Sequence, residues 1–323
     1  MIKVLEVVKH FEVNLKPIDG LSNLDNEITK PGLNRLGFEL CGFFVDKKIK
    51  NIVVFGNREY TYLINLNQKE RDSRIHEIFK LQPPMILLTK SFKEVDFLKK
   101  INKFYQIPII KSDMFSNDIA SSIGALVSES LAKYETMHAV LLEVYGEGVL
   151  LIGESGIGKS EIAMEMIKKN HLFIADDAVD IARIGGVLLG KSNKIAKNFI
   201  EIRGLGILNI SKMFGVEKIK PSTIISVVIE LKAINFQNYD FDRLGNDQQN
   251  QIICGLKLPK YTIPISPGRK ISDLIESVVI DLKLKREGYN ATNDFLKQHH
   301  QIMKIETKNQ TLKNKSIFKK GKK

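Results

Sequence analysis

The sequence predicts a two-domain α/β protein, with a small N-terminal α/β domain and a C-terminal P-loop domain built on a β-rich core. Three observations carry this. An apolar run, 148–152, feeds a glycine-punctuated loop ending in Lys159 and Ser160, and Ile162, Ala163, Met166 and Ile167 follow at helical spacing. Upstream, a strand (85–89), a helix (93–104) and a strand (107–110) alternate as in a parallel β-α-β unit. Downstream, residues 179–231 are rich in short apolar strands.

The 323 residues suffice for two domains, each with its own core. Hydrophobic residues at 43% and charged residues at 27% describe a soluble globular chain. No stretch reaches membrane-span length, and Met1–Glu6 does not open a signal peptide, so the expected compartment is the cytoplasm. Cys41 and Cys254 are too far apart for a metal-ligand spacing and read as reduced core thiols. The net charge of +12 is unevenly spread: residues 301–323 hold eight lysines against Glu306. A lysine tail with only Phe318 interleaved describes a solvated end, not a nucleic-acid reader.

In chain order, residues 4–13 form a helix or strand, and a turn follows at 16–20. Residues 51–55 and 61–66 read as two strands joined by a turn at 56–59. In the helix over 93–104, Val95, Leu98 and Ile101 face inward. A long helix over 116–134 shares Ile119, Ile123, Leu126, Val127 and Leu131 on one face, and is expected to connect the domains. The expected divisions are 1–129, an α/β domain with no visible chemistry; 130–290, the P-loop domain; and 291–323, a helix end with the lysine tail. The second domain opens with a strand over 138–144, turns at 145–148 and enters the P-loop strand. A strand over 172–175 ends in Asp176 and Asp177, with strands at 179–184, 187–189, 200–207 and 222–231 beyond. A late helix carries Ile271, Leu274, Ile275, Val278, Val279 and Leu282.

Gly153, Glu154, Ser155, Gly156, Ile157, Gly158, Lys159 and Ser160 form the G-x-x-x-x-G-K-[ST] pattern. The glycines let main-chain N–H groups converge on phosphate oxygens where a Cβ would intrude. Lys159 brings a charge to the outer phosphates, Ser160 offers a hydroxyl to Mg²⁺, and the helix start adds its dipole. Asp176 and Asp177 stand where P-loop proteins place an acid near the metal; one carboxylate can hold metal or loop while the other reaches a substrate hydroxyl. A polar turn accounts for the pair equally well. Glu201 and Arg203, before Gly204 and Gly206, can supply a metal oxygen and a phosphate contact, or an edge-strand ion pair. Arg243 can stabilise a transferring phosphoryl group or sit solvated in its loop. Pro264, Ile265, Ser266, Pro267, Gly268 and Arg269 precede the late helix and suit either an anion or a rigid turn. His138 begins an apolar strand one hairpin before the P-loop, and His171 reads as a helix-end cap. No guanine-reading N/T-K-x-D motif is present.

Together these segments resemble the HPr kinase/phosphorylase family. The resemblance runs through His138, residues 153–160, 171–177, 242–245 and 264–269, and is most specific in Ile200, Glu201, Ile202, Arg203, Gly204, Leu205 and Gly206. It covers 130–290, and upstream only 31–35 and 38–44. It implies a bifunctional serine kinase and phosphorylase regulating carbon metabolism. Residues 153–160 would bind ATP, or pyrophosphate as an alternative donor, and Ser160 and Glu201 would ligate Mg²⁺. Asp177 would accept the proton of a serine hydroxyl on HPr, the small carrier protein of the sugar phosphotransferase system. Lys159 and Arg243 would neutralise the phosphoryl group in flight, and His138 would contact phosphate. In reverse, inorganic phosphate would attack phosphoserine-HPr, Asp177 would return the proton and pyrophosphate would leave, mainly with the help of 264–269. The family forms homohexamers. Lys270 and Ala178 depart from its pattern, at positions usually holding Asn and a basic residue. Two other readings compete: a P-loop kinase acting on a small metabolite, and a nucleotide-gated regulator binding nucleic acid through the tail.

Overall fold

The computed structural model describes residues 1–43, 48–233, 249–266 and 268–304. The chain divides into two compact units, Met1–Lys133 and Tyr134–Lys323.

The first unit is an α/β layer structure around a five-stranded sheet. Its strands run in the order Leu15–Asp19, Ile109–Ser112, Ile86–Leu88, Ile52–Phe55 and Leu33–Asn34; the first is antiparallel to its neighbour and the rest are parallel. The short all-apolar strands Ile86–Leu88 and Ile52–Phe55 fit a sheet covered on both faces. Val53 and Phe55 face the helices Asn57–Asn65, Gln68–Lys80 and Asp96–Asn102, through Leu63, Ile78 and Leu98. Ile52 and Val54 face the helices Val4–His10 and Ser116–Leu131, through Val7, Ile119 and Ile123. That last helix packs its Ile119, Ile123 and Val127 face into the core of the first unit.

Several expectations are corrected here. Residues 61–66 are not a strand: the helix Asn57–Asn65 occupies them, burying Tyr60 and Leu63 three residues apart. The expected turn at 56–59 is its start, where the Glu59 carboxylate accepts the Gly56 N–H at 2.8 Å. The charged stretch 68–80 is a helix because Ile75, Ile78 and Phe79 make a buried stripe and Asn67 caps it. The strand expected at 107–110 is Ile109–Ser112. Cys41 is exposed, not a core thiol, and both cysteines are free.

Among the described residues, the second unit is built on a nine-stranded mixed sheet. Glu147–Gly153 lies between Val140–Val144, antiparallel, and Ser222–Ala233, parallel. Leu172–Ala175 pairs beyond Val140–Val144. On the other side, the first part of Ser222–Ala233 pairs with Val187–Ser192, which continues to Ala178–Ile184 and Glu135–His138. Its last part pairs in parallel with Leu256–Ile265, which also carries Gln249–Ile253. Val149 and Leu151 face the helices Lys159–Lys168 and Ile271–Arg286, while Leu150 packs with Leu141, Ile181 and Val228 on the other face. Burial on both faces is why the P-loop strand reads as an unbroken apolar run.

The strand expected over 138–144 is two strands, broken at Ala139. His138 ends Glu135–His138 opposite Ala178, and the chain then crosses to pair with the P-loop strand. Residues 200–207 form a hairpin, Phe199–Ile202 with Gly206–Asn209. A last helix covers 291–304. Among the described residues no helix is long and apolar enough to cross a membrane.

Candidate active site

The phosphate loop connects Glu147–Gly153 to the helix Lys159–Lys168. Two glycines are required by its geometry. At Gly153 (φ +152°) a Cβ would lie 2.6 Å from the Leu231 carbonyl oxygen; at Gly156 (φ +81°) it would collide with the Arg203 guanidinium. The loop opens into a cavity of about 140 Å³ lined by Ser155, Gly156, Gly158, Lys159, Ser160, Glu161, His138, Asp176, Asp177, Glu201 and Arg203. Five of these eleven lie outside the loop and its helix start, carried in by the strand end at His138, the turn at Asp176 and Asp177, and the hairpin.

Lys159 is only 7% exposed. Its Nζ donates to the carbonyls of Gly153 (2.9 Å) and Glu154 (3.1 Å) and lies 3.4 Å from His138 Nε2. Burial lowers its ammonium below the ordinary lysine value, against the opposite pull of the Asp176 and Asp177 carboxylates.

The two aspartates do different things. Asp176 is buried and accepts the Ser160 hydroxyl (2.9 and 3.1 Å to its two oxygens) and the Glu201 N–H (3.1 Å). Burial raises its carboxyl above the usual range although these two donors favour the charged form. Asp177 sits at φ +66°, a left-handed conformation that Asp tolerates, and its side chain turns out to solvent, 70% exposed. Its Oδ1 lies 2.7 Å from His138 Nδ1, and its own carbonyl oxygen lies 3.1 Å from the same nitrogen. Nδ1 thus faces an acceptor pair on Asp177 while Nε2 faces the Lys159 ammonium, which can only donate.

Of the hairpin residues, Ile200 and Ile202 are core, Glu201 and Arg203 line the cavity, and Gly204 (φ +83°), Leu205 and Gly206 (φ +83°) form the exposed turn. Pro264 and Ile265 end the strand Leu256–Ile265, Gly268 adopts φ +81°, and Ser266 accepts the Arg269 N–H at 3.3 Å. Pro264 and Arg269 line a different cavity, against Leu274 and Val278 of the late helix. Arg243 and Pro267 lie outside the described residues. Glu161 lines the cradle unforeseen: an acid in a first helical turn is ordinary dipole compensation and carries no other signal. His171 caps the P-loop helix only through its main chain, its N–H reaching the Met166 carbonyl at 3.1 Å. Its buried ring instead contacts Glu276 of the late helix at 2.8 Å, beside Tyr145.

Among the described residues no three His, Cys, Asp or Glu side chains cluster as a metal cage. Three oxygen donors nevertheless face the cradle together: the Ser160 hydroxyl, the Asp176 carboxylate and Glu201. A buried carboxylate held by neutral donors beside a second, exposed one fits a hard divalent cation that takes its remaining ligands from phosphate and water.

Residues 2–126 match the family model HPr Serine kinase N terminus, and 129–299 the model HPr Serine kinase C-terminal domain. The chain is 43% identical over 302 residues to the HPr kinase/phosphorylase of Mycoplasma pneumoniae, covering 93% of this chain and 96% of that one. It is 42% identical over 305 residues to that of Mycoplasma genitalium (94% and 98%), and 43% identical over 267 residues to that of Malacoplasma penetrans (83% and 89%). With both halves matched and relatives aligned nearly end to end, this chain belongs to the HPr kinase/phosphorylase family.

Proposed function

We propose that this cavity transfers a phosphoryl group from ATP, or from pyrophosphate, to a serine hydroxyl of HPr, and in the other direction passes the phosphoryl group of phosphoserine-HPr to inorganic phosphate. The observation that carries this reading is the chain Asp177–His138–Lys159, with separations of 2.7 and 3.4 Å, in the cavity of the phosphate loop. It sets a proton acceptor beside the charge that would steady the outer phosphate.

In the forward direction the serine O–H bond breaks, its proton passes to the Asp177 carboxylate, and the serine oxygen forms a bond to phosphorus as the bridging P–O bond to ADP breaks. In reverse, phosphate oxygen attacks, the P–O bond to serine breaks, and Asp177 returns its proton to the departing serine oxygen, leaving pyrophosphate. His138 orients Asp177 and presents the edge of its ring to phosphate. Lys159 leaves its loop carbonyls for the outer phosphate. Ser160 and Glu201, with Asp176 behind Ser160, would hold Mg²⁺, which supplies charge neutralisation on the phosphate oxygens.

Arg243, and the segment 264–269 in the phosphorylase direction, enter this proposal on the family resemblance, as do the homohexameric assembly and the cytoplasmic setting. The exposure of Asp177, 70%, suits a hydroxyl delivered on a protein surface. Neither a small-metabolite kinase nor a nucleic-acid-binding regulator is favoured by relatives named HPr kinase/phosphorylase. Incubation with Mg²⁺, labelled ATP and purified HPr, followed by mapping of the label, tests the reading. Label on one HPr serine is expected; transfer to small metabolites with none to HPr would contradict it.

A further inference from the structure

The first unit contains a cavity of about 200 Å³ to which no chemistry has been assigned, lined by Lys16, Lys90, Lys111, Ser112, Asn14 and Asp113, with Val13. It lies at the carboxyl ends of two parallel strands, Ile86–Leu88 and Ile109–Ser112, where the antiparallel edge strand Leu15–Asp19 begins. The carboxyl edge of a parallel sheet is where open α/β domains hold their ligands.

Its charge is unbalanced in a specific way. Lys16 and Lys111 stand directly opposite each other on neighbouring strands, so two like charges enter the cavity from one strand pair. Lys111 is half-buried, and its Nζ donates to two main-chain carbonyls, those of Thr89 (3.1 Å) and Phe92; among the described residues it makes no ion pair with a carboxylate. Burial is what lowers its ammonium below the ordinary lysine value. Lys90 adds a third ammonium, over the Phe115 ring at 5.3 Å. The carboxylate lining the cavity, Asp113, is engaged by Asn14 Nδ2 at 3.2 Å. Ser112 Oγ accepts the Met114 N–H at 3.0 Å, which leaves its proton free to donate.

We propose that this cavity is a binding site for a small oxyanion of the phosphate class, held by Lys16, Lys90, Lys111 and the Ser112 hydroxyl, and separate from the catalytic cradle. Such an anion would bring a counter-charge to a cavity lined by three lysines and complete the coordination of a half-buried ammonium. Free phosphate and the phosphoryl group of a small metabolite share this chemistry.

The test is calorimetric titration of the full chain with inorganic phosphate and, separately, with glycerol 3-phosphate. Because the cradle would also bind phosphate under the proposed function, the variant Lys159→Ala provides the background in which one binding event per chain is expected to remain. In that background Lys111→Met abolishes it. Lys16→Gln and Lys90→Gln, on exposed side chains that do not threaten folding, each weaken it about tenfold. A tighter fit for glycerol 3-phosphate names a phosphorylated metabolite as the ligand, and a tighter fit for free phosphate names the ion itself. Loss of all phosphate binding in Lys159→Ala, or affinity unchanged by both lysine-to-glutamine substitutions, would overturn the proposal.

Discussion

Asp177 and His138 lie thirty-nine positions apart in sequence and 2.7 Å apart in space, because Ala178 and His138 face each other across an antiparallel strand pair. The carboxylate is thereby tied through one imidazole to the ammonium of Lys159. In the proposed reaction His138 is a positioning residue for Asp177 as well as a phosphate contact. His138→Ala is expected to lower kcat by about 10²-fold, within the range for a misplaced general base, with a smaller rise in KM for ATP. Steady-state kinetics with HPr as acceptor separates the two effects; loss confined to KM would remove the positioning role.

Asp176 separates function from stability. Its carboxyl is raised by burial, so the folded state holds that proton more tightly than the unfolded chain does. Its contribution to stability is therefore largest below the ordinary carboxylate range and is lost as pH rises through the raised folded value. At neutral pH the ionised group is a cost. In Asp176→Asn the amide can donate to Ser160 and accept from the Glu201 N–H, so the ligand-free variant should be at least as stable as the parent at pH 7. It should bind magnesium nucleotide at least tenfold more weakly, through loss of the charge behind Ser160. Thermal unfolding and nucleotide titration check the two halves independently.

Glu276 has the opposite sign. Burial pushes its carboxyl up, but hydrogen bonds from Lys169, His171 and Tyr145 outweigh that and hold it at about 2. The stability it contributes is present above the ordinary carboxylate value and is lost as pH falls toward 2. Glu276→Gln should cost about 1 kcal/mol at pH 7, the partial exposure of its partners keeping the figure small. The difference should shrink steadily below pH 4. Denaturant unfolding at pH 7 and pH 3 measures it, and a pH-independent difference would contradict the account.

Gly156 carries two constraints, a left-handed φ of +81° and the Arg203 guanidinium where a Cβ would stand. Gly156→Ala should raise KM for ATP about tenfold, combining a strain of about 1–2 kcal/mol with displacement of Arg203. Adding Arg203→Ala should remove the collision but not the strain, so the two changes should be non-additive in a double-mutant cycle. Simple additivity would show that Arg203 does not bear on the loop.

What could be read from the sequence divides along a physical line. The cradle was legible because Gly153, Gly156 and Gly158, then Lys159 and Ser160, are local demands of one loop on its own residues. The partition of work between Asp176 and Asp177 was only half legible: adjacent carboxylates must diverge, but which one is buried depends on Ser160 and on the hairpin that brings in the Glu201 N–H. The pairing of His138 with Asp177 comes from strand register and leaves no mark in local spacing. Residues 61–66 look like a strand because Thr61, Tyr62 and Ile64 are strand formers. The buried pair Tyr60 and Leu63, with the Glu59 cap on Gly56, decides for a helix. Lys16 and Lys111 illustrate the same limit, since nothing in either segment announces that the two lysines face each other.

The central claim is that Asp177 moves the proton. The direct measurement is Asp177→Asn, assayed for transfer from ATP to HPr and for phosphorolysis of phosphoserine-HPr, with ATP affinity measured on the same preparation. Affinity within about threefold of the parent is expected, with both rates lowered by about 10²–10⁴. Undiminished transfer in either direction, at intact ATP affinity, would contradict it.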